Sequence, residues 1–217
     1  PGNPPKIVTI PNHADLEALK EDIRKAKSMV DVVIVGVHWG VHFLPASIPM
    51  YEWEVGHAAI DAGADLVLGS HPHILKGIEV YKGKAIFHSM GNFAFDLFDL
   101  PGQGDGMRKY MLTRIPLRKP LYPVSYPTYF YLDPEYPTYP FAPDSRKTIV
   151  AKCVISQKKI HMVSFLPALI NKQGQPQILS HDDESFDDVL SYVAWTCKDQ
   201  ELDTKFSVEG NEVLIQT

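Results

Sequence analysis

Two short histidine-bearing loops are where this sequence could support chemistry. His38 stands directly after one apolar, strand-like segment, and His71 and His73 stand directly after the next one. Imidazole is the commonest metal ligand among protein side chains. Three imidazoles delivered by two loops therefore predict a metal site, in which Pro72 would let the rings of His71 and His73 splay towards separate ions.

The segments before these loops are predicted to be parallel strands. Residues 31–37 and 65–69 are apolar on both faces, and a predicted helix over residues 50–62 joins them. Strand, helix and strand with short connections form a βαβ unit, whose strands are parallel. Because the carboxyl ends of parallel strands meet at one edge of a sheet, we expect the three histidines to lie within a few ångströms of one another. The pattern also predicts that residues 31–37 form a central strand covered on both faces.

The remaining histidines carry weaker signals. A lone histidine at a strand end is more often a hydrogen-bonded structural residue than a ligand, so the case depends on the pair His71 and His73. His42 lies further into the first loop and is the weaker candidate there. Four others are interpreted as ordinary surface or helix residues: His13, His57, His161 and His181.

The other predicted elements give a mixed fold. Periodicity predicts strands at residues 6–10, 78–81 and 84–87, the last two joined by a glycine turn. Further elements are two antiparallel strands at 148–155 and 159–166, a helix near 183–196, and a terminal hairpin at 205–208 and 212–215. The fold class is therefore α/β with additional antiparallel strands.

Composition limits the class of protein. The chain has 217 residues, 45% of them hydrophobic, and a net charge of −5. This favours one globular domain over residues 1–217 and argues against a dedicated nucleic-acid binder, which would show a basic face. Nothing reads as a signal peptide or a membrane-spanning run. Cys153 and Cys197 are too few and too far apart for a cysteine-rich zinc site.

Residues 101–147 are predicted to be an ordered insertion rich in tyrosine and proline. Residues 120–143 alone hold seven of the 18 prolines and six of the ten tyrosines. Prolines at this density exclude a central strand. The rings either pack against the body of the protein or line a groove that binds a carbohydrate or peptide by stacking.

The two loops and their flanking segments resemble the CapA family of poly-γ-glutamate capsule synthesis proteins, within the calcineurin-like metallophosphoesterase superfamily. The matching pieces are residues 31–40, 58–69, 71–73, 77–81 and 89–93. The resemblance implies a metallophosphoesterase-like β-sandwich flanked by helices, of which this chain forms the C-terminal part.

The same resemblance implies roles for individual residues. His38 and His71 are expected to bind one divalent ion and His73 a second one, the ions being manganese, zinc or iron. Asn92, in the Ser-Met-Gly-Asn-Phe signature, is expected to hydrogen-bond a ligand or to brace the rim of the site. His38, His73 and Asn92 are thus the candidate catalytic residues. Glu52 either supports the site from behind or, by the simpler interpretation, lies on a helix surface.

One departure from the family pattern is large. The family places an aspartate, a further acidic ligand and an Asn-His pair in an N-terminal half that would precede this chain. Asn12 and His13 form an Asn-His pair, but only about 25 residues separate it from His38, which is too few for the family motif. Either the chain is a fragment, or its partner half is a separate or differently numbered segment. In both cases the three neutral imidazoles alone are expected to bind at most one ion, weakly.

The resemblance implies a metal-dependent hydrolase linked to poly-γ-glutamate capsule biosynthesis. Its substrate would be an amide, a peptide or a phosphoester. The alternative is a non-catalytic component of polymer assembly or export with a vestigial metal site. An anionic polymer would be contacted through the metals and local lysines, for which the candidates are Lys76, Lys82, Lys84 and Lys109. The resemblance implies a location in the bacterial cell envelope, with membrane contact only through a segment outside this chain. A cytoplasmic location is the alternative.

Overall fold

The N-terminal part of the protein alternates helices and strands around one sheet. The computed structural model describes residues 8–94, 133–136, 139 and 141–217. The elements up to residue 94 are α1 (His13–Met29), β1 (Ile34–His38), α2 (Met50–Ala62), β2 (Leu66–Ser70), β3 (Ile78–Tyr81) and β4 (Lys84–Phe87).

The first sheet has the strand order β1-β2-β4-β3. Strand β2 is parallel to β1 and β4, whereas β3 and β4 form an antiparallel hairpin. The hairpin turns at Lys82 and Gly83, both of which have positive φ angles, as tight hairpin turns require. The predicted βαβ unit and glycine turn are both present.

Helices α1 and α2 cover one face of this sheet. Asn12 caps α1 by accepting a hydrogen bond from the Ala14 amide, and Gly63 ends α2 in the left-handed conformation at φ 118°. Apolar side chains from both helices and from the strands form a shared core. Its members include Ile23, Ala59, Ile60, Val67 and Ile86.

A second, antiparallel sheet follows. Its elements are a short 3-10 helix (Pro143–Arg146), β5 (Lys147–Ser156), β6 (Lys159–Ile170), β7 (Pro176–Ile178), α3 (Glu184–Asp199), β8 (Phe206–Glu209) and β9 (Glu212–Ile215). The strand order is β5-β6-β9-β8, with β7 also paired to β6. Each of the antiparallel pairs predicted from the alternating pattern is formed.

The two sheets share a hydrophobic core. Leu66 and Phe87 from the first sheet, Ile149 and Phe165 from the second sheet, and Phe186 from α3 belong to one cluster of buried side chains. Burial of these large side chains supplies the main stabilising free energy. The mixed α/β class with additional antiparallel strands is confirmed.

Two details differ from the sequence expectations. Residues 8–10 form no strand in the structure, and residues 6 and 7 lie outside the described part. Strand β1 ends the strand order instead of lying inside it, and its Ile34 is 42% exposed. Apolar side chains on both faces are typical of a central strand, and they predicted one here. The pattern does not reveal which strands and helices lie beside β1, so the prediction of a central position was wrong.

Most of the Tyr/Pro-rich segment, and Lys109 with it, lies outside the described residues. In the part of the chain that the structure describes, no helix is long and apolar enough to cross a membrane.

Candidate functional site

The two histidine-bearing loops meet at one edge of the first sheet. Parallel pairing aligns His38 at the end of β1 with Ser70 at the end of β2, so that both loops leave the sheet side by side. The Nε2 atom of His38 lies 2.7 Å from Nδ1 of His71, and their ring centroids are 4.4 Å apart. A single proton shared between these nitrogens makes a hydrogen bond.

His73 is held by a separate chain of hydrogen bonds. Its Nδ1 lies 2.7 Å from Oδ1 of Asn92. The Asn92 amide donates to the Tyr139 hydroxyl at 2.5 Å, and this hydroxyl donates to the carbonyl of Ser145. Burial raises the pKa of Tyr139 above its usual value, which keeps the hydroxyl a neutral donor. Because an amide oxygen only accepts, Nδ1 of His73 carries a proton, and in the neutral form of the ring the lone pair is on Nε2.

The backbone at the second loop is strained. His71 has φ 101° and His73 has φ 56°, in the region that residues other than glycine rarely adopt. Such conformations persist only where the surrounding structure holds them, and they cluster at functional sites. The strain therefore supports a functional role for this loop.

His42 joins the cluster although the sequence made it the weaker candidate. Its ring centroid lies 3.9 Å from that of His71 and 5.4 Å from that of His73. Partial burial, and then the neighbouring imidazoles, lower the pKa of His42 and of His71 below the usual value of 6.5. These rings are therefore neutral near pH 7, which is the form that binds metals.

A cleft of about 460 Å³ adjoins the histidines. Its lining includes Ser70, Asn92 and residues 148–151 of β5. Phe141, at the end of the Tyr/Pro-rich segment, stacks on His73 with centroids 4.9 Å apart. The described end of that segment thus packs against the site.

The donor chemistry suits a divalent metal ion only in part. Imidazole nitrogens are suitable ligands, but tetrahedral coordination at about 2.0–2.1 Å would hold two of them about 3.3 Å apart. The 2.7 Å between His38 and His71 is too short for that. Among the described residues, no group of three or more His, Cys, Asp or Glu side chains is arranged to hold an ion. The imidazoles present fit part of a ligand set and not a complete one.

Several other candidates have different surroundings from those expected. Glu52 is only 1% exposed, so its helix-surface interpretation is wrong. Lys76 is also 1% exposed and donates to the carbonyls of Leu44 and Ser47, so it cannot contact a polymer. Lys82 and Lys84 form salt bridges with nearby aspartates. The Asn12 side chain caps α1 by accepting from the Ala14 amide.

Sequence reasoning missed His88. This histidine follows β4, is fully buried, and lies between Glu52 and Glu79 at 3.3 Å from each. No sequence signal distinguished it, because the two carboxylates are 36 and 9 residues away along the chain. His57, interpreted as an ordinary helix residue, is bonded to Glu79 at 2.5 Å.

The region that carries the histidines is similar to known capsule synthesis proteins. Residues 3–97 match the family model described as bacterial capsule synthesis protein PGA_cap. The chain is 43% identical over 83 residues to the PGA biosynthesis protein CapA of Bacillus subtilis (strain 168), which covers 38% of this chain and 22% of that protein. It is 42% identical over 84 residues to the capsule biosynthesis protein CapA of Bacillus anthracis, covering 37% and 20%.

A more distant relative carries a related name. The chain is 36% identical over 72 residues to a probable polyglutamine synthesis accessory protein of Mycobacterium tuberculosis (strain ATCC 25618 / H37Rv), which covers 33% of this chain and 19% of that protein. The chain thus spans about a fifth of the length of the curated relatives it matches.

Proposed function

We propose that this chain, which is CapA-like over residues 3–97, takes part in poly-γ-glutamate capsule synthesis and contributes the histidine side of a metal-dependent hydrolytic site. The observation that carries the proposal is the meeting of His38 with His71 at 2.7 Å, beside a strained His71-Pro72-His73 turn. The substrate would be a γ-glutamyl amide, another peptide-like amide or a phosphoester.

Each histidine has a defined part in this proposal. His38 and His71 would bind one divalent ion once it replaces the proton they share and their nitrogens move from 2.7 Å to about 3.3 Å apart. His73 would bind a second ion through Nε2, because its Nδ1 donates to Asn92. When bound, two such ions lower the pKa of a water molecule and polarise the group under attack. Asn92 fixes the orientation of His73, and the partly apolar cleft beside it would receive the substrate.

Charge neutralisation requires further ligands. Two divalent ions bring four positive charges, whereas neutral imidazoles bring none, so carboxylates must come from elsewhere. The remaining part of a CapA-like protein would supply them. The face of β1 that carries Ile34, Gly36 and His38 is exposed in the described structure, and an added Cβ at Gly36 would meet open space. A further segment could pack on this face beside the histidines.

The polymer would be recognised through the site itself. Poly-γ-glutamate is anionic, and this chain has a net charge of −5, which does not favour broad electrostatic attraction. Lys82 and Lys84 are engaged by aspartates, and Lys76 is buried. Among the candidate lysines, only Lys109 lies outside the described residues, so contacts to a glutamyl carboxylate would depend on bound metal ions or on Lys109.

A second candidate function is a non-catalytic role in polymer assembly or export, with a vestigial site. The observation in its favour is that the described residues offer no complete metal-ligand group and no carboxylate among the pocket-lining side chains. In that case the imidazole cluster would persist as a structural feature only.

Replacement of His71 by alanine in the source cells separates the two functions. If the site is catalytic, the His71→Ala cells lose surface poly-γ-glutamate, while cells with His161→Ala, an exposed histidine on β6, keep it. Normal polymer in both strains, with both proteins present at equal levels, would contradict the catalytic proposal and support the non-catalytic one.

A further inference from the structure

A second group of ionisable residues lies beneath the His38 loop, outside the proposed metal site. Glu52 on α2, Lys76 after β2, Glu79 on β3 and His88 after β4 are each at most 7% exposed. Buried charges are costly unless they are paired, so this group must be held by its internal contacts. The proposed reaction gives these residues no chemical role.

His88 is the centre of this group. Its Nδ1 lies 3.3 Å from a carboxylate oxygen of Glu52, and its Nε2 lies 3.3 Å from one of Glu79. The other oxygen of Glu79 is bonded to His57, which reaches the surface. Because carboxylate oxygens only accept, both nitrogens of His88 carry protons, and the ring is an imidazolium. Lys76 adds a second positive charge that acts on Glu52.

The pKa of His88 agrees with this geometry. Complete burial alone would lower that pKa, but the hydrogen bonds and charges of Glu52 and Glu79 outweigh burial and raise it above 6.5. His88 therefore supplies positive charge to both carboxylates near neutral pH.

This charged group packs against the two residues that follow His38. The indole Nε1 of Trp39 donates to the carbonyl of His88 at 2.9 Å, and the two rings stack with centroids 5.8 Å apart. The Oε1 atom of Glu52 would lie 2.8 Å from a Cβ atom added at Gly40. Trp39 and Gly40 therefore rest directly on His88 and Glu52.

We propose that the buried Glu52–His88–Glu79 chain positions the loop that carries His38. Without His88, two carboxylates remain buried with less counter-charge, and they must separate or draw in water. The His88 carbonyl that holds Trp39 would move with them, and so would the contact of Glu52 with Gly40. His38 precedes Trp39 and would lose its alignment with His71. A catalytic use of the His38–His71 alignment rests on the proposed function. The positioning of the loop by the buried chain does not depend on it.

The test uses the metal-free 217-residue chain with ¹⁵N-labelled histidine. Nuclear magnetic resonance reports the ring nitrogens of His38 and His71 at a temperature where circular dichroism shows every variant to be folded. In His88→Gln and Glu52→Gln, the ring signals of His38 should move towards those of a free imidazole. They should stay in place in Glu54→Gln, which alters an exposed carboxylate on the same helix.

A purely structural role would give a different pattern. It would lower the melting temperature of His88→Gln and leave the His38 signals of the folded protein unchanged, and that result would overturn the proposal. If His88→Gln does not fold, the His38 ring signals of the isosteric Glu52→Gln variant alone test the proposal. In the double variant, where one negative charge is removed together with the positive one, the His38 shift should be smaller than the sum of the two single effects.

Metal affinity separates this proposal from the proposed function. If the unchanged chain binds Zn²⁺, affinity should fall at least tenfold in Glu52→Gln and stay unchanged in Glu54→Gln. If the unchanged chain binds no Zn²⁺ but the His38 signals still respond to Glu52→Gln, the positioning role stands, and the metal site is then judged from the His71→Ala cells described above.

Discussion

The Nδ1 atom of His73 lies 2.7 Å from the Oδ1 atom of Asn92, and this contact fixes which nitrogen of the ring carries the proton. Asn92 is oriented in turn by Tyr139, whose hydroxyl accepts from the amide. Side chains that hold the second nitrogen of a metal-binding histidine determine its tautomer and its basicity. The site therefore extends from the imidazole cluster to the buried Tyr139, which lies 66 residues after His73 in the chain.

Replacing Asn92 with leucine should change the tautomer of His73. Without the amide oxygen, the Nδ1–H form loses its acceptor, and the Nε2–H form should become the major neutral species. Long-range ¹H–¹⁵N correlation spectra of the ¹⁵N-histidine protein measure both forms at a pH where the ring is neutral. Tyr139→Phe should produce a smaller shift in the same direction, and the exposed His161 serves as an internal control. A His73 ring that stays in the Nδ1–H form in Asn92→Leu would contradict this assignment.

The chain by itself should bind no more than one metal ion, and weakly. Calorimetric titration with Zn²⁺ should give a stoichiometry of one or less. His71→Ala should lower the affinity by more than about tenfold, since even loss of a supporting side chain behind a ligand costs 10- to 100-fold. His161→Ala should bind as the unchanged chain does. Two tight ions per chain would show that the described imidazoles need no carboxylates from elsewhere.

Gly69→Ala should destabilise the fold far more than Gly36→Ala. An added Cβ at Gly69 would meet the backbone carbonyl of His88, and would lie 2.5 Å from both the carbonyl of Phe87 and the Trp39 indole nitrogen. At Gly36 it would meet nothing within 4 Å. We expect a loss of roughly 3 kcal/mol for Gly69→Ala and a change within about 0.5 kcal/mol for Gly36→Ala. Urea denaturation measures both, and equal losses would contradict the close packing at Gly69.

Lys76 should make the protein more stable as the pH rises from 8 to 10.5. Burial lowers the pKa of Lys76 to about 8, an effect that Glu52 opposes in part. Between this value and the unfolded value near 10.5, the unfolded chain binds more protons, so the free energy of unfolding rises with pH. The full gap corresponds to about 3 kcal/mol.

Comparison with Lys76→Met isolates this contribution from other groups that titrate in alkali. The stability of the unchanged chain relative to Lys76→Met should increase over that pH range. Lys25→Met, which alters an exposed lysine on α1, should run parallel to the unchanged chain. A constant difference between the unchanged chain and Lys76→Met would mean that Lys76 is not perturbed in the folded state.

The local elements followed from residue spacing. Alternating apolar residues and the Lys82-Gly83 turn predicted the β3–β4 hairpin, and the apolar segments around α2 predicted parallel strands. Parallel pairing then predicted that His38 and His71 would meet, because equivalent strand ends share an edge. These inferences depend only on neighbours a few residues apart and on the handedness and short connections of βαβ units.

Partners that are distant in sequence were settled by the tertiary structure. Glu52, Lys76 and His88 look like unrelated polar residues in the sequence, and only folding brings them into one buried group. The exposure of β1 likewise depended on which strands lie beside it and not on its composition. Side-chain pattern encodes which residues prefer burial, whereas the identity of each buried partner depends on how the two sheets and α2 pack together.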